Sequence, residues 1–495
     1  MTRVQRWLPA YLTAILCIAG TSAAFGQGYD IPLTIQGIDH RMPVSAASAA
    51  LGGTTLIGRN DGTLMFANPA VLESLEDPVL TMGGLQQYST SDQIQQYAPL
   101  KYYSNFSLLM EGLTAEIPNP DTALYPGFNP GDTVQRPFDN IGPNWDHNGN
   151  HGLPPQLSAA APFTFGGMRF AAGAGVTTWA DLNHFYQNNN VLSPSILSER
   201  PLPINRPRND SFPVAARWSQ YTRSREGSIR GYGIALQGSL AANVSLGISG
   251  LVLNGTSDDA ETRISRGSMI FYTNYFRLDS AYGRTAMTGT SDYSGLAWTI
   301  AAVCRSRQLR VGLTVSPPAT VTRDYTMRTV ADTGGTPVVT TSGGTDKLRL
   351  PWRGSAGLSI AVRNNLTIGL EYEFRPYNSA VYTAPGGQES SPWLSSSAFH
   401  AGAEFVPVEW LALRAGLSEQ PEVFEPEGNP LEGDAARSTV YSAGAGVSGG
   451  GFRFNVAYEY YLLKYQDIWG SAISFNTASS YRVLADVSYE IRGLW

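Results

Sequence analysis

The stretch GSAGLSIAVRNNLTIGLEYEFR, residues 354–375, decides the fold class. In its first arm Ala356, Leu358, Ile360 and Val362 alternate with Ser355, Gly357, Ser359 and Ala361. In its second Leu366, Ile368, Leu370, Tyr372 and Phe374 alternate with Thr367, Gly369, Glu371, Glu373 and Arg375, and Arg363-Asn364-Asn365 makes the turn. Strand side chains point to opposite faces with period two, so one face of this hairpin is apolar and the other is small, polar or charged. A soluble sandwich could yield the pattern once. Here it recurs along the whole chain, and a transmembrane β-barrel accounts for it: lipid takes the apolar face, and a lumen or plug takes the polar one.

Six tight turns repeat the motif, at Gly166-Gly167, Ala241-Ala242-Asn243, Ser306-Arg307-Gln308, Arg363-Asn364-Asn365, Pro407-Val408-Glu409 and Gly449-Gly450-Gly451. Besides the opening hairpin they join residues 158–165 to 168–178, 232–240 to 244–253, 296–304 to 309–315, 399–405 to 411–417, and 441–447 to 452–462. Six hairpins, a first strand at 79–88 and a terminal strand make fourteen, an even number as in single-chain bacterial barrels. Longer Pro-, Asn- and Ser-rich connections separate the hairpins, above all 89–156 and 180–230. Short turns on one rim and long loops on the other are the periplasmic and extracellular ends of an outer-membrane barrel. In the last strand Tyr481, Val483, Ala485, Val487, Tyr489, Ile491 and Trp495 share one face, while Arg482, Asp486, Ser488, Glu490 and Arg492 share the other. An aromatic C-terminus after such alternation resembles the closing signature of outer-membrane barrels.

Composition agrees. There are 52 Gly and 25 Tyr, Tyr outnumbers Phe, and mean hydropathy is slightly negative, unlike a helical membrane protein. The only long apolar run, residues 8–20, is short for a membrane span and follows Arg3 and Arg6. With small-x-small sites at Ser22-Ala23-Ala24 and Ala24-Phe25-Gly26, residues 1–26 read as a secretory signal peptide. Its removal would leave Cys304 alone, without a disulfide partner, and would make the net charge of −6 two units more negative. That balance argues against a nucleic-acid partner.

Between the signal peptide and the first strand, residues 27–77 lack period-two alternation. Residues 46–51 and 64–75 look weakly helical, linked by Gly52-Gly53 and a turn containing Asp61, and Asn68-Pro69-Ala70 interrupts the second. The lumen is the economical place for such a segment. The domains expected are thus a signal peptide at 1–26, an N-terminal hatch at 27–77 and a barrel at 78–495.

These residues resemble the FadL family of long-chain fatty acid and hydrocarbon transporters. The Ala-rich run with Gly52-Gly53, Asp61 and Phe66-Ala67-Asn68-Pro69-Ala70 looks like that family's N-terminal hatch. Leu350-Pro351 leading to Gly357-Leu358, and Ala412-Leu413-Arg414-Ala415-Gly416-Leu417, look like its late strands. Val71 departs from the pattern, since a Gly commonly follows the hatch motif, and so does the long Pro-rich loop after the third strand. The resemblance implies a monomeric, hatch-plugged barrel of fourteen strands that passes hydrophobic small molecules passively from outside. They would leave sideways near an interrupted third strand, around 165–168 or 176–180. A sister group with the same hatch motif serves protein secretion as shuttle or scaffold, and this is the alternative function.

Asn68, Pro69, Ala70, Phe66 and Asp61 are the candidate hatch or gate residues, because Pro breaks helical bonding and Asn can tether a turn; the plain alternative is a helix stop. Glu371, Glu373, Arg375, Glu404, Arg414, Asp486, Glu490 and Arg492 are expected in the lumen, either as a polar network holding the hatch or as solvated walls. Phe106, Leu108, Leu109, Met110 and Leu113 are candidates for first capture of an apolar ligand, or for packing a loop on the rim. His400 and Glu404 share a face but form neither a metal set nor a triad, and Asp146-His147-Asn148-Gly149-Asn150-His151 reads as an external loop. No enzyme activity, cofactor or metal is expected. The partners expected are a hydrophobic ligand and outer-membrane lipid.

Overall fold

The computed structural model describes residues 37–97, 144–189, 195–196, 210–211, 214–271, 276–279, 283–332, 335–423, 436–469 and 472–493, apart from Arg41, Arg59 and Pro392. The signal-peptide segment and the capture candidates Phe106, Leu108, Leu109, Met110 and Leu113 lie outside the described residues. Among the described residues fourteen wall strands run antiparallel. They are β1 Val79–Tyr97, β2 Trp145–Phe165, β3 Met168–Asp181, β4 Val214–Ala241, β5 Val244–Phe271, β6 Gly283–Arg305 and β7, split into Leu309–Ser316 and Ala319–Asp332. Then follow β8, split into Val338–Leu350 and Arg353–Arg363, β9 Leu366–Phe374, β10 Ala398–Val408, β11 Leu411–Pro421, β12 Arg437–Gly449, β13 Phe452–Trp469 and β14 Ala472–Glu490. The last strand closes on the first, from Val79↔Glu490 to Tyr97↔Ala472, so the barrel has no free edge there.

All six expected hairpins form at their turns. In the opening one Leu358 faces Leu370 and Ile360 faces Ile368. These four and Tyr372 and Phe374 are exposed on the outer wall, whereas Ser359, Glu371 and Glu373 are buried within. Similar outer rows run along β4 and β5 (Tyr232, Ile234, Leu236; Leu246, Ile248, Val252) and along β13 and β14 (Phe454, Val456, Tyr458; Tyr481, Val483, Tyr489). An apolar band on the outside of a closed barrel is a lipid-facing surface, and the protein is an outer-membrane β-barrel.

The strands are longer than alternation predicts. β4 and β5 have 28 residues each, roughly 90 Å of strand against the 9–11 residues that about span a bilayer. The excess rises from the rim opposite the tight turns. There both faces meet water or polar neighbours, so the apolar–polar rhythm fades while the backbone ladder continues. This corrects the expected loops: residues 89–97, 145–157 and 214–230 are strand, and Asp146-His147-Asn148-Gly149-Asn150-His151 belongs to β2 rather than to an external loop.

Inside the wall lie residues 37–77. Helix α1, Ala46–Ala50, starts at Ser45, whose Oγ accepts from Ser48 N. Two 3₁₀ turns follow, Gly62–Phe66 and Pro69–Ser74. Met65, Leu72 and Leu75 are fully buried against inward residues of the wall, among them Ala171, Leu253, Tyr293 and Val321. Each such side chain contributes about 1.5–3 kcal/mol relative to exposure, which fixes this segment in the lumen.

Leu370 sits midway along β9 on the outer face. Leu370→Arg should lower the stability of the barrel refolded in lipid by about 2–4 kcal/mol in urea titration. Thr341→Arg, exposed on the part of β8 beyond the lipid, should stay within about 0.5 kcal/mol of the parent.

Candidate functional site

After α1 the hatch touches the wall where neither has side chains. Helix α1 ends at Gly52 and Gly53, with φ of +66° and +83°, conformations glycine adopts without strain. Opposite stand Gly402 of β10 and Gly416 of β11. A Cβ on Gly416 would fall 2.0 Å from Gly52 N, and one on Gly402 would fall 2.4 Å from Leu51 O. Backbone therefore rests on backbone. Gly52 N donates to Ser442 Oγ (3.1 Å), and Gly52 O accepts from His400 Nδ1 (2.7 Å).

Asn68-Pro69-Ala70 is held by the wall on two sides. The Asn68 side chain does not cap its own turn. Its Nδ2 donates to Thr55 Oγ1 (3.2 Å), and Thr55 N and Oγ1 each donate to Glu371 Oε2 of β9 (3.0 Å). On the other side Ser245 of β5 donates to Ala70 O (3.1 Å), and a Cβ on Gly247 would lie 2.5 Å from Ala70 N. Asp61 works inside the hatch: it caps Gly62–Phe66 through Thr63 N and accepts from Ser45 Oγ (2.8 Å), linking that turn to α1.

The lumen charges are tied together and to the hatch. Arg414 Nε donates to Glu404 (2.8 Å) and its Nη1 to Asn455 (2.9 Å). Asn455 donates to Asp486 (2.7 Å), whose second oxygen accepts from Ala46 N at the start of α1 (2.7 Å). Arg375, fully buried, donates to Ser396 O (2.6 Å) and to Asp39 O of the hatch (2.7 Å). Glu373 lies 3.9 Å from His400 Nε2, and Glu490 pairs with Arg453 (2.9 Å). Arg492 is the exception. It follows the end of β14, its side chain is 67% exposed, and it stands at the rim rather than in the lumen.

Among the described residues several cavities lie between hatch and wall, and two of them adjoin the start of the hatch. The first, about 70 Å³ at mid-barrel, is lined by Ile38, Met42, Val44, Phe66, Trp179 and Leu251 among others, with Arg353 and Glu373 at its border. The second, about 340 Å³ in the extracellular half, includes His147, His151, Asp181 and Phe185. The second falls in the range of roughly 300–1,000 Å³ usual for small-molecule sites, as does a cavity of about 550 Å³ by the tight turns, between Leu56, Ile57 and Asn60 of the hatch and Ser306, Arg310 and Thr367 of the wall. His40 and Met42 border both the first and the second.

Beside these cavities the wall ladder stops. β2 and β3 pair from Phe165↔Met168 to Leu157↔Val176 and no further. Beyond that point residues 145–156 pair with β1, and the continuation of β3, His184–Asn189, pairs with β4. The cause is local: Pro154 and Pro155 have no N–H to donate, and Pro within a sheet belongs at an edge or bulge. β3 answers with a register shift between Thr178 and Ala180, one of the two places where an interruption is expected; residues 165–168 form an ordinary hairpin instead. Side chains alone cross the seam. Thr177 Oγ1 donates to Gln156 Oε1 (3.3 Å), His151 Nε2 meets Asp181 Oδ2 (3.1 Å), and His147 stacks on Phe185 (3.8 Å between ring centres).

A cluster absent from the sequence reading joins Asp39 and His40 to Glu422, which follows β11. His40 Nε2 lies 3.3 Å from Asp39 Oδ2 and 3.1 Å from Glu422 Oε2. Burial opposes charge on His40, but the Glu422 and Asp39 carboxylates outweigh it and raise its pKa to about 10. Burial likewise works against the Asp39 carboxylate, yet His40 holds it below the usual range.

Gly416→Ala would put a methyl group where Gly52 N now stands and should lift α1 from the wall. Single-channel conductance in planar bilayers should rise while the barrel keeps its heat-modifiable mobility; unchanged conductance would mean that the hatch does not close the lumen. Glu371→Gln removes the charged acceptor of two Thr55 bonds and should cost about 1–3 kcal/mol in urea unfolding.

No family model and no curated protein matches this sequence. Solved structures do. A Pseudomonas aeruginosa FadL homologue superposes with a TM-score of 0.56 at 12% identity, over 91% of this chain and 99% of the other. The toluene transporter TodX of P. putida gives 0.57 at 13% identity, over 92% and 100%. The CymD monoaromatic hydrocarbon channel gives 0.51 at 10% identity, over 91% and 98%. At such identities the likeness concerns the course of the chain, and in that respect this protein has the fold of the FadL-type outer-membrane transporters.

Proposed function

We propose that this barrel passes neutral hydrophobic small molecules across the outer membrane by diffusion, and that the seam between β2 and β3 is their way out of the lumen. The observation that carries the reading is the ladder that ends at Leu157↔Val176 beside a cavity bordered by Thr177, Thr178 and Trp179, with Ile38, Met42, Val44, Phe66 and Leu251 in its lining. The seam lies about ten residues above the periplasmic turn, near the outer edge of a lipid band that strands cross in roughly 9–11 residues. A ligand entering the larger cavity meets His40 and Met42, then the smaller cavity, then the seam and lipid.

Residues 27–77 act in this scheme as the hatch, after a signal peptide at 1–26, and residues 78–495 are the conducting wall of a monomer. The 70 Å³ cavity is small, so a ligand enters as the Asn68-Pro69-Ala70 turn shifts. Arg353 and Glu373 border it together, and opposite charges side by side create no demand for a charged headgroup. That favours a hydrocarbon over a fatty acid anion. The named ligands of the TodX and CymD structures, toluene and monoaromatic hydrocarbons, point the same way.

The test closes the seam. With Cys304→Ser as background, Gln156→Cys and Thr177→Cys should cross-link on oxidation, since they are the facing positions next beyond the last pair, Leu157↔Val176. Toluene uptake by cells should stop in the oxidised form and return with reductant. Uptake that continues through the cross-linked barrel would overturn the lateral route. Separately, the protein extracted in mild detergent should carry apolar small molecules by mass spectrometry; an empty lumen with a co-purifying secretion partner would overturn the transport reading.

A further inference from the structure

The boundary between the two cavities carries a set of ligand atoms. Asp39, His40 and Glu422 each present one donor atom, and the three lie within 4.8 Å of one another. The separations of 3.3 and 3.1 Å from His40 Nε2 to the two carboxylate oxygens suit neighbours around a single ion. Bonds of about 2.0–2.2 Å at tetrahedral to octahedral angles place adjacent ligand atoms roughly 3.0–3.5 Å apart.

Every donor is also aimed from behind. Gly37 N donates to Asp39 Oδ1 (3.1 Å) and leaves Oδ2 turned to the centre. Tyr461 OH donates to Glu422 Oε1 (3.2 Å) and leaves Oε2 turned there too. The Gln420 side-chain amide lies 3.2 Å from His40 Nδ1; presenting its oxygen, it would accept the Nδ1 proton and leave Nε2 free to bind. Outer partners of this kind, one for each ligand, are what metal sites use to fix orientation. Two carboxylates that hold a proton on His40 Nε2 would hold a divalent cation in its place, the proton leaving to solvent as the ion binds.

We propose that Asp39, His40 and Glu422 form a binding site for a divalent transition-metal ion of the zinc class. The ion joins the start of the hatch to the end of β11, at the partition between the two cavities that His40 borders. A fourth position, open toward the cavities, is left for water. Bound metal would hold His40 in place and keep the partition shut.

The experiment uses the full chain extracted in detergent, stripped with chelator, and titrated with Zn²⁺ by calorimetry and with Co²⁺ by visible absorption. One equivalent of Zn²⁺ per chain is expected, with Co²⁺ bands of a low-symmetry site. His40→Gln and Glu422→Gln should each weaken binding by roughly tenfold or more, and Tyr461→Phe, which only removes an outer partner, by about tenfold. Glu389→Gln, exposed and distant in sequence, should bind as the parent does. Heat-modifiable mobility reports folding of each variant. Absence of Zn²⁺ uptake, or uptake equal in the parent and in both ligand variants, would overturn the site. Neither result depends on ligand transport, so this inference and the transport reading fail independently.

Discussion

Lipid offers no partner to an N–H or a C=O, and this single constraint shapes the whole molecule. It requires that the wall close on itself, which β1 and β14 achieve in continuous register. It also dictates where the wall may be broken. Between β2 and β3 the ladder lapses where β2 has climbed past the apolar band to Pro154 and Pro155, and the breaks within β7 and β8 fall at Pro317-Pro318 and Pro351, all residues that have no hydrogen to leave unsatisfied. A gap placed there costs the protein fewer unpaired groups than a gap anywhere lower. The opening beside the cavities is thus a consequence of where two prolines stand.

The same constraint explains what could be read from the residues. Leu358 to Phe374 announced a lipid face because a bilayer sorts side chains strictly, and all six turns followed from it. Above the bilayer the sorting relaxes. Trp145 to Gly152 shows polar residues on both faces, and its strand was invisible for that reason although its ladder to β1 is regular. The inner wall was misjudged in a second way: Leu251 and Leu253 point inward, because the hatch presents an apolar surface that no alternation rule could foresee.

Within the site, local chemistry was legible and long-range chemistry was not. Asp61 and the Asn68-Pro69-Ala70 turn lie close in sequence, so their importance to one compact unit could be inferred. The contact of His40 with Glu422 spans 382 positions and had no local signal. Arg492 shows the limit of a periodic argument at a chain end, since alternation continued past the last paired residue, Glu490. Pro154-Pro155 was the signal most worth heeding for the seam, being incompatible with a doubly paired strand.

Where hatch and wall meet at Gly52, Gly402 and Gly416 there are no ridges to interlock. Packed side chains resist sliding because each knob must leave its hole before the next position is reached. A flat seat of peptide on peptide has no such barrier. What opposes displacement at that seat is a small set of hydrogen bonds, Gly52 N to Ser442 Oγ, Ser442 Oγ to Ala50 O and His400 Nδ1 to Gly52 O, each contributing about 0.5–1.5 kcal/mol. A ligand bound at micromolar strength releases about 8 kcal/mol. At this seat the hatch can slide without unlocking side chains, so what keys it against sliding lies elsewhere, where Met65 fits over Gly173, Leu56 over Gly312 and Ile57 over Gly369.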